Sequence, residues 1–133
     1  MMEHSLFMVK PDGVTRGLVG NIVNRFEQKG FIIQEMKMLR FTQKQAEEFY
    51  KVHAERPFFK ELIQFITSGS VVVAVVQGRN AISAARTMLG STDSSKAEAG
   101  SIRGDYGLGF TDNIIHASDS TASFEHEQRV VFQ

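Results

Sequence analysis

The run Val71-Val72-Val73-Ala74-Val75-Val76 constrains the fold more than any other stretch of the chain. Five of its six residues are valines, which favour strands over helices, and the run is far too short to span a bilayer. We therefore predict that the chain folds around a sheet in which this run is one strand.

A second strand is predicted at residues 5–10, which are almost wholly apolar up to Lys10, as expected for a strand covered on both faces. The residues Pro11-Asp12-Gly13 then force a turn, so Lys10 stands at the end of the strand. Its ammonium group could reach into a cleft or could simply keep the strand end soluble.

Residues 18–26 follow helical spacing, and Gly30 is placed to close that helix in a left-handed conformation. Residues 31–40 alternate, which predicts a strand with one wet face. The apolar side of this strand is predicted to hold Ile32, Met36 and Met38, and the wet side Glu35 and Lys37.

A helical hairpin is predicted next along the chain. Thr42 and Gln45 form a capping box for a first helix that ends near His53, a histidine to which its position gives no special role. A proline separates this helix from a second one around residues 62–66. Phe58 directly follows the proline, and the pattern alone favours a place in the core over an exposed one.

After the valine-rich run, Asn80 is predicted to cap a helix that ends at a glycine, with Arg86 off its apolar stripe. Residues 91–112 show no periodicity, and so long a loop in a small domain is usually functional or disordered. Thr92 and Arg103 suggest that this loop binds an anion, although charged loops are more often simply solvated.

The strongest chemical signal lies in residues 113–120, where two isoleucines run into His116 and then break into small and acidic residues. This pattern predicts a buried strand that ends at the start of a helix. His116 would stand at the strand's carboxyl end, where reactive groups are common, although a core histidine is the ordinary alternative. The helix is predicted from residue 121 to about residue 129, with Phe124 packing inward and Glu127, taken alone, a charge on the solvent side.

The predicted order is strand, helix, strand, helical hairpin, strand, helix, strand, helix. It fits a ferredoxin-like α/β fold, a four-stranded antiparallel sheet with helices packed on it.

The chain has 133 residues, 42% of them hydrophobic, which predicts one domain over residues 1–133. Fifteen basic residues balance fifteen acidic ones, so no overall charge draws the chain to nucleic acid or anionic lipid. The chain has no cysteine and no room for a signal peptide before its first strand, so the cytoplasm is the expected location.

Five motifs resemble those of the nucleoside diphosphate kinase family, in order and over essentially the whole chain. They are Lys10-Pro-Asp-Gly13, Arg56-Pro-Phe58-Phe59, Arg86-Thr-Met-Leu-Gly90-Ser-Thr92, Gly100-Ser-Ile-Arg103-Gly104-Asp105 and Asn113-Ile-Ile-His116-Ala-Ser118-Asp119-Ser120. Many family members carry Asn-Pro at Asp93-Ser94, proline at Ala99 and glycine at Ala117, and residues 107–112 also diverge. The lack of proline at Ser94 and Ala99 predicts a less rigid long loop.

The resemblance implies an enzyme that transfers the γ-phosphoryl group of a nucleoside triphosphate, chiefly ATP, to nucleoside diphosphates of varied base and sugar. His116 would be the nucleophile of a ping-pong reaction, because a phosphorylated imidazole keeps a high transfer potential. Ser118 and Glu127 would hold its ring. The resemblance places Lys10, Tyr50, Arg86, Thr92, Arg103 and Asn113 near the phosphates and the sugar, and Phe58 at the base.

The implied cofactor is Mg²⁺ carried by the nucleotide phosphates, with Asp119 the nearest candidate for a contact through water. The expected partners are nucleoside di- and triphosphates and further copies of the chain, as a hexamer or, less favoured, a tetramer; no membrane or nucleic acid is indicated. The alternative is a non-catalytic ferredoxin-like module that binds nucleotide or RNA. An RNA-binding sheet would display aromatic and basic residues, which the valine-rich run lacks.

Overall fold

The computed structural model describes residues 2–132, which form four strands and seven α-helices. The strands are β1 (Met2–Val9), β2 (Ile32–Leu39), β3 (Val71–Arg79) and β4 (Ile115–Ala117). The helices are α1 (Pro11–Thr15), α2 (Val19–Lys29), α3 (Gln43–Phe49), α4 (Phe59–Ile66), α5 (Ala81–Leu89), α6 (Ile102–Tyr106) and α7 (Thr121–Phe132). Within these described residues, no helix is both long and apolar enough to cross a membrane.

The four strands form one antiparallel sheet in the order β2-β3-β1-β4. This is the ferredoxin-like arrangement that the order of elements predicts. The valine-rich run lies in β3, next to β1 at the centre of the sheet. In the pairing of β1 with β4, Met8 lies opposite His116, so the strand that carries the histidine is adjacent to the strand that leads into Lys10.

Helices cover both faces of the sheet because the central strands are apolar on both sides. Phe7 and Val9 of β1 pack with α2 and α5 on one face, and Leu6 and Met8 pack with α3, α4 and α7 on the other. The helical hairpin and the last helix therefore supply the second layer that a sheet with two apolar faces requires.

The edge strand β2 departs from its predicted pattern. Its pairing with β3 shifts register between Ile33 and Glu35, which moves Ile32 to the opposite face from Met36 and Met38. Ile32, Met36 and Met38 are 56%, 48% and 61% exposed, so the prediction that this strand has a single wet face is wrong.

Helix ends mostly follow their local signals. Gly30 closes α2 with a φ of 108°, and the predicted capping box of α3 is present. The prediction for α5 is wrong in its mechanism, because Asn80 adopts a left-handed conformation and its side chain caps nothing. A carboxylate from β1 takes that role, since Glu3 Oε1 accepts the backbone N–H of Ile82 at 3.2 Å.

The segment 91–112 is more ordered than its lack of periodicity predicts, since it holds α6 and a short 3₁₀ turn. The backbone N–H of Ser94 donates to the carbonyl of Gly109 at 3.1 Å, a bond that proline could not make. Arg25 of α2 also donates to Asp105 at 2.6 Å. These bonds restrain the segment and so compensate in part for the rigidity that prolines would have supplied.

Candidate active site

His116 lies on β4, and α7 fixes its ring from behind. Glu127 Oε2 lies 3.0 Å from His116 Nε2, while Glu127 Oε1 accepts a 2.7 Å hydrogen bond from Ser118 Oγ. Glu127 is only 7% exposed, so its interpretation as a solvent-side charge is wrong. Because a carboxylate can only accept, Nε2 is the nitrogen that carries the proton, and Nδ1 keeps its lone pair.

Two aromatic rings pack edge-on against the imidazole. The centroids of Phe49 and Tyr50 lie 5.3 and 5.5 Å from that of His116. The hydroxyl of Tyr50 is buried without a hydrogen-bond partner in the described chain, and burial, followed by the charge of Glu127, raises its pKa. An unpaired buried hydroxyl costs about 1–3 kcal/mol, so this group is better explained by a bound ligand than by stability.

Lys10 extends from the end of β1 into the same region. Its Nζ donates to Asn113 Oδ1 at 2.8 Å, and the Asn113 amide donates to the carbonyls of Thr92 and Phe110 at 2.8 and 2.9 Å. Lys10 is 5% exposed, which excludes the alternative that it merely keeps the strand end soluble. Burial, and then the charge of Arg103, lowers the pKa of Lys10 to about 7.

Backbone carbonyls aim two arginines at the histidine strand. Arg103 donates from Nη2 to Ile115 O at 2.7 Å and from Nη1 to Gly90 O at 3.1 Å. Arg86 Nη1 donates to Ala117 O at 3.2 Å. Ala117 lies in an extended strand, so the methyl group that replaces glycine adds no backbone strain. Burial, and then the charge of Arg86, lowers the pKa of Arg103 to about 10.

These side chains line one cleft of about 390 Å³. Of the predicted site residues, the cleft is lined by Lys10, Tyr50, Phe58, Arg86, Thr92, Arg103, Asn113, His116 and Asp119. Ser118 and Glu127 do not line it, because they lie behind the imidazole as its support. The predicted residues of the cleft therefore combine an imidazole with three cationic side chains and two hydroxyl groups, a set suited to a nucleotide's phosphates.

The residues that line the cleft without having been predicted as site residues include His53, Arg56 and Phe110. His53 lies near Tyr50, with ring centroids 6.3 Å apart, and its pKa is lowered by burial and then by Arg56. Phe110 lies in the divergent segment, where no pattern pointed to it. Phe58 is half-buried rather than a core residue, and its ring meets that of Phe110 at 6.0 Å between centroids.

The residues of the cleft suit a metal ion that is held mainly by phosphates. Among residues 2–132, no group of three or more His, Cys, Asp or Glu side chains could hold a metal on its own. Asp119 lines the cleft, and a 2.6 Å hydrogen bond from Ser123 Oγ to its Oδ1 lowers its pKa. Its other oxygen is available to accept a hydrogen bond from a metal-bound water.

A model of the nucleoside diphosphate kinase family matches residues 3–133. The chain belongs to the nucleoside diphosphate kinase family. The nucleoside diphosphate kinase of Picrophilus torridus is 50% identical over 131 residues, which are 98% of this chain and 95% of that protein. The structure of the Aquifex aeolicus nucleoside diphosphate kinase matches with a TM-score of 0.97 and 46% identity, covering 100% of this chain and 96% of the other.

A halophilic nucleoside diphosphate kinase from Halobacterium salinarum, solved in complex with CDP, matches with a TM-score of 0.96 and 42% identity, covering 100% of this chain and 89% of the other. As a member of the nucleoside diphosphate kinase family, the chain is a phosphotransferase that acts on nucleotides, as its motifs predict. The non-catalytic alternative is not favoured.

Proposed function

We propose that His116 carries the phosphoryl group between the two nucleotides, on its Nδ1. The supporting observation is the 3.0 Å contact between Nε2 and the buried carboxylate of Glu127, which leaves Nδ1 with the lone pair that attack requires. Nδ1 forms a bond to the γ-phosphorus as the bond from phosphorus to the β,γ-bridging oxygen breaks, and the diphosphate leaves. Glu127 stabilises the positive charge that develops on the ring, and a second diphosphate reverses the step.

The cations of the cleft stabilise charge on the transferred group. Arg86 and Arg103 contact phosphate oxygens through planar guanidinium groups that can meet two oxygens at once. The unpaired hydroxyl of Tyr50 donates to the γ-phosphate, and the hydroxyl of Thr92 to another phosphate oxygen. Lys10 and Asn113, already bonded to each other, contact the ribose hydroxyls and the phosphates.

Mg²⁺ is the proposed cofactor. When bound, the ion neutralises charge on the phosphate oxygens. Asp119 would hold a water of its coordination shell, because a single carboxylate suits an ion that keeps several waters. Residues 1–133 are proposed to act as one catalytic domain, and the cytoplasm stays a prediction from the sequence.

The direct test is to incubate the protein with γ-labelled ATP, remove free nucleotide, and then add an unlabelled nucleoside diphosphate. The label should bind the protein and then leave as labelled triphosphate, because a ping-pong reaction separates the two halves. If labelled triphosphate forms only when both nucleotides are present together, transfer is direct and the phosphohistidine proposal is wrong.

Base identity is expected to matter little. The aromatic rings of Phe58 and Phe110 line the cleft, and stacking on a base contributes ~1–3 kcal/mol without discriminating among bases. The CDP bound to the H. salinarum relative supports a pyrimidine as an acceptable base.

Phe58→Ala should lower kcat/KM by a similar factor for nucleoside diphosphates of all five bases. A wild-type spread above about a thousandfold, ~4 kcal/mol, would reveal a base-reading pocket.

The chain is also expected to assemble with copies of itself, as a hexamer in preference to a tetramer. The support is the edge strand β2, whose Ile32, Met36 and Met38 are exposed beside unpaired backbone groups. Sedimentation equilibrium at micromolar protein should give six times the mass of the 14.9 kDa chain. A monomer mass would contradict assembly itself, whereas four times the chain mass would show a tetramer in place of the expected hexamer.

A further inference from the structure

The turn after β1 contains a carboxylate that the proposed chemistry does not use. Asp12 Oδ2 accepts the backbone N–H of Ile114 at 3.1 Å, whereas Oδ1 is buried without a hydrogen-bond partner in the described chain. Burial raises the pKa of Asp12, and the bond from Ile114 opposes that rise. A half-buried carboxylate with one unpaired oxygen costs stability. The presence of Asp12 at this position therefore needs an explanation, and its bond to Ile114 is the place to look for one.

The backbone that Asp12 holds is strained. Ile114 has a φ of 77°, a left-handed conformation that β-branched residues avoid. The N–H of Ile115 donates to the carbonyl of Asn113 at 2.9 Å, so Ile114 is the centre of a γ-turn of the rarer, positive-φ kind. Such a conformation costs about 1–3 kcal/mol and persists only where its surroundings impose it.

The turn at residues 10–13 supplies those surroundings. The backbone N–H of Lys10 donates to the carbonyl of Ile114 at 2.8 Å, while Asp12 accepts the Ile114 N–H. Gly13 lets the two segments approach, because a Cβ there would lie 2.7 Å from the Val9 side chain and 3.2 Å from that of Ile114. Both backbone polar groups of Ile114 are therefore bonded to this turn.

Three functional groups of the cleft depend on the conformation of Ile114. Asn113, which holds the Lys10 ammonium, directly precedes it. The carbonyl of Ile115, which follows it, accepts the 2.7 Å bond that orients Arg103. His116 comes one residue later. A change at Ile114 would move all three together, and displacements near 1 Å can slow a reaction about 10²-fold.

We propose that Asp12 is a positioning residue for phosphoryl transfer: its carboxylate holds Ile114 in the γ-turn and thereby aligns Asn113, Arg103 and His116. This inference rests on the proposed phosphorylation of His116. The role requires a hydrogen-bond acceptor at position 12 and does not require a negative charge. Aspartate and asparagine should therefore both support it, and alanine should not.

The test compares Asp12→Ala, Asp12→Asn and Glu3→Ala with the wild type, by the single-turnover rate at which γ-labelled ATP phosphorylates the protein. We expect Asp12→Ala to be slower by about 10–100-fold, and Asp12→Asn to stay within about threefold of the wild type. Glu3→Ala is the matched control, because it also removes a carboxylate that accepts a backbone N–H, that of Ile82, away from the cleft. Its rate should be unchanged. Urea unfolding gives the unfolded fraction of each variant, and the rates are corrected for that fraction.

Equal rates for Asp12→Ala and the wild type would overturn the inference. An Asp12→Asn variant as slow as Asp12→Ala would also overturn it, because the charge beside Lys10 would then be what matters. If Asp12→Ala does not fold, an NMR titration of the wild type decides: the Ile114 amide proton should shift as Asp12 titrates, and no shift means no bond. A wild type that takes up no label refutes the proposed function instead, which keeps the two failures distinct.

Discussion

Replacing His116 with glutamine is expected to abolish phosphoryl transfer and to leave the fold intact. Glutamine approximates the shape of the imidazole and can still donate to Glu127, so the support from α7 is preserved. It cannot form the bond from nitrogen to phosphorus on which both half-reactions depend. We expect turnover to fall by at least about 10⁴-fold. The measurement is the steady-state rate together with uptake of label from γ-labelled ATP.

The matched control is His126→Gln, a histidine on α7 that bonds to the carbonyl of Glu48 and does not line the cleft. This variant should keep wild-type turnover. The label on the wild type should be lost in acid and kept in alkali, as expected for a phosphorylated nitrogen. Label that survives acid, or that appears on the His116→Gln variant, would contradict the assignment.

The parts of the fold that the sequence predicts are those governed by strong local patterns. The valine-rich run of β3 and the apolar residues of β1 have no alternative to a buried strand, and the capping box marks the start of α3. The pattern of β2 failed because alternation does not reveal a register shift. Alternation also cannot show that the apolar residues of an edge strand are exposed, since their exposure depends on what packs against the sheet.

The site was predicted residue by residue from motifs, while its geometry depends on contacts that are distant along the chain. Glu127 illustrates the limit, because its partner His116 lies on another element. Spacing could have identified it, since Glu127 lies three residues after the inward-facing Phe124 and so shares its helix face. No comparable signal existed for Phe110, which lies in an aperiodic loop and meets Phe58 only in the folded protein.

The stability of the protein is expected to rise with pH above about 7 because of Lys10. Burial lowers the pKa of Lys10 from 10.5 to about 7 in the folded protein, so between these values the unfolded chain binds a proton that the folded one lacks. Stability rises with pH wherever the unfolded state binds more protons. A tenfold change in proton affinity is worth ~1.4 kcal/mol, so the free energy of unfolding should gain ~3 kcal/mol between about pH 7 and 9.5 from this group.

Lys10→Met isolates this contribution, because methionine fills similar space without a titrating group. Urea unfolding at several pH values and one fixed protein concentration should show a smaller rise in the variant, whereas Lys29→Met, at an exposed position, should keep the wild-type rise. Parallel curves for the wild type and Lys10→Met would show that Lys10 stays charged when buried.

A nucleoside diphosphate should flatten the dependence of the wild-type free energy of unfolding on pH, because phosphate near the ammonium group favours its charged form. Bound substrate should therefore offset part of the free-energy cost of burying the charged Lys10 ammonium at neutral pH.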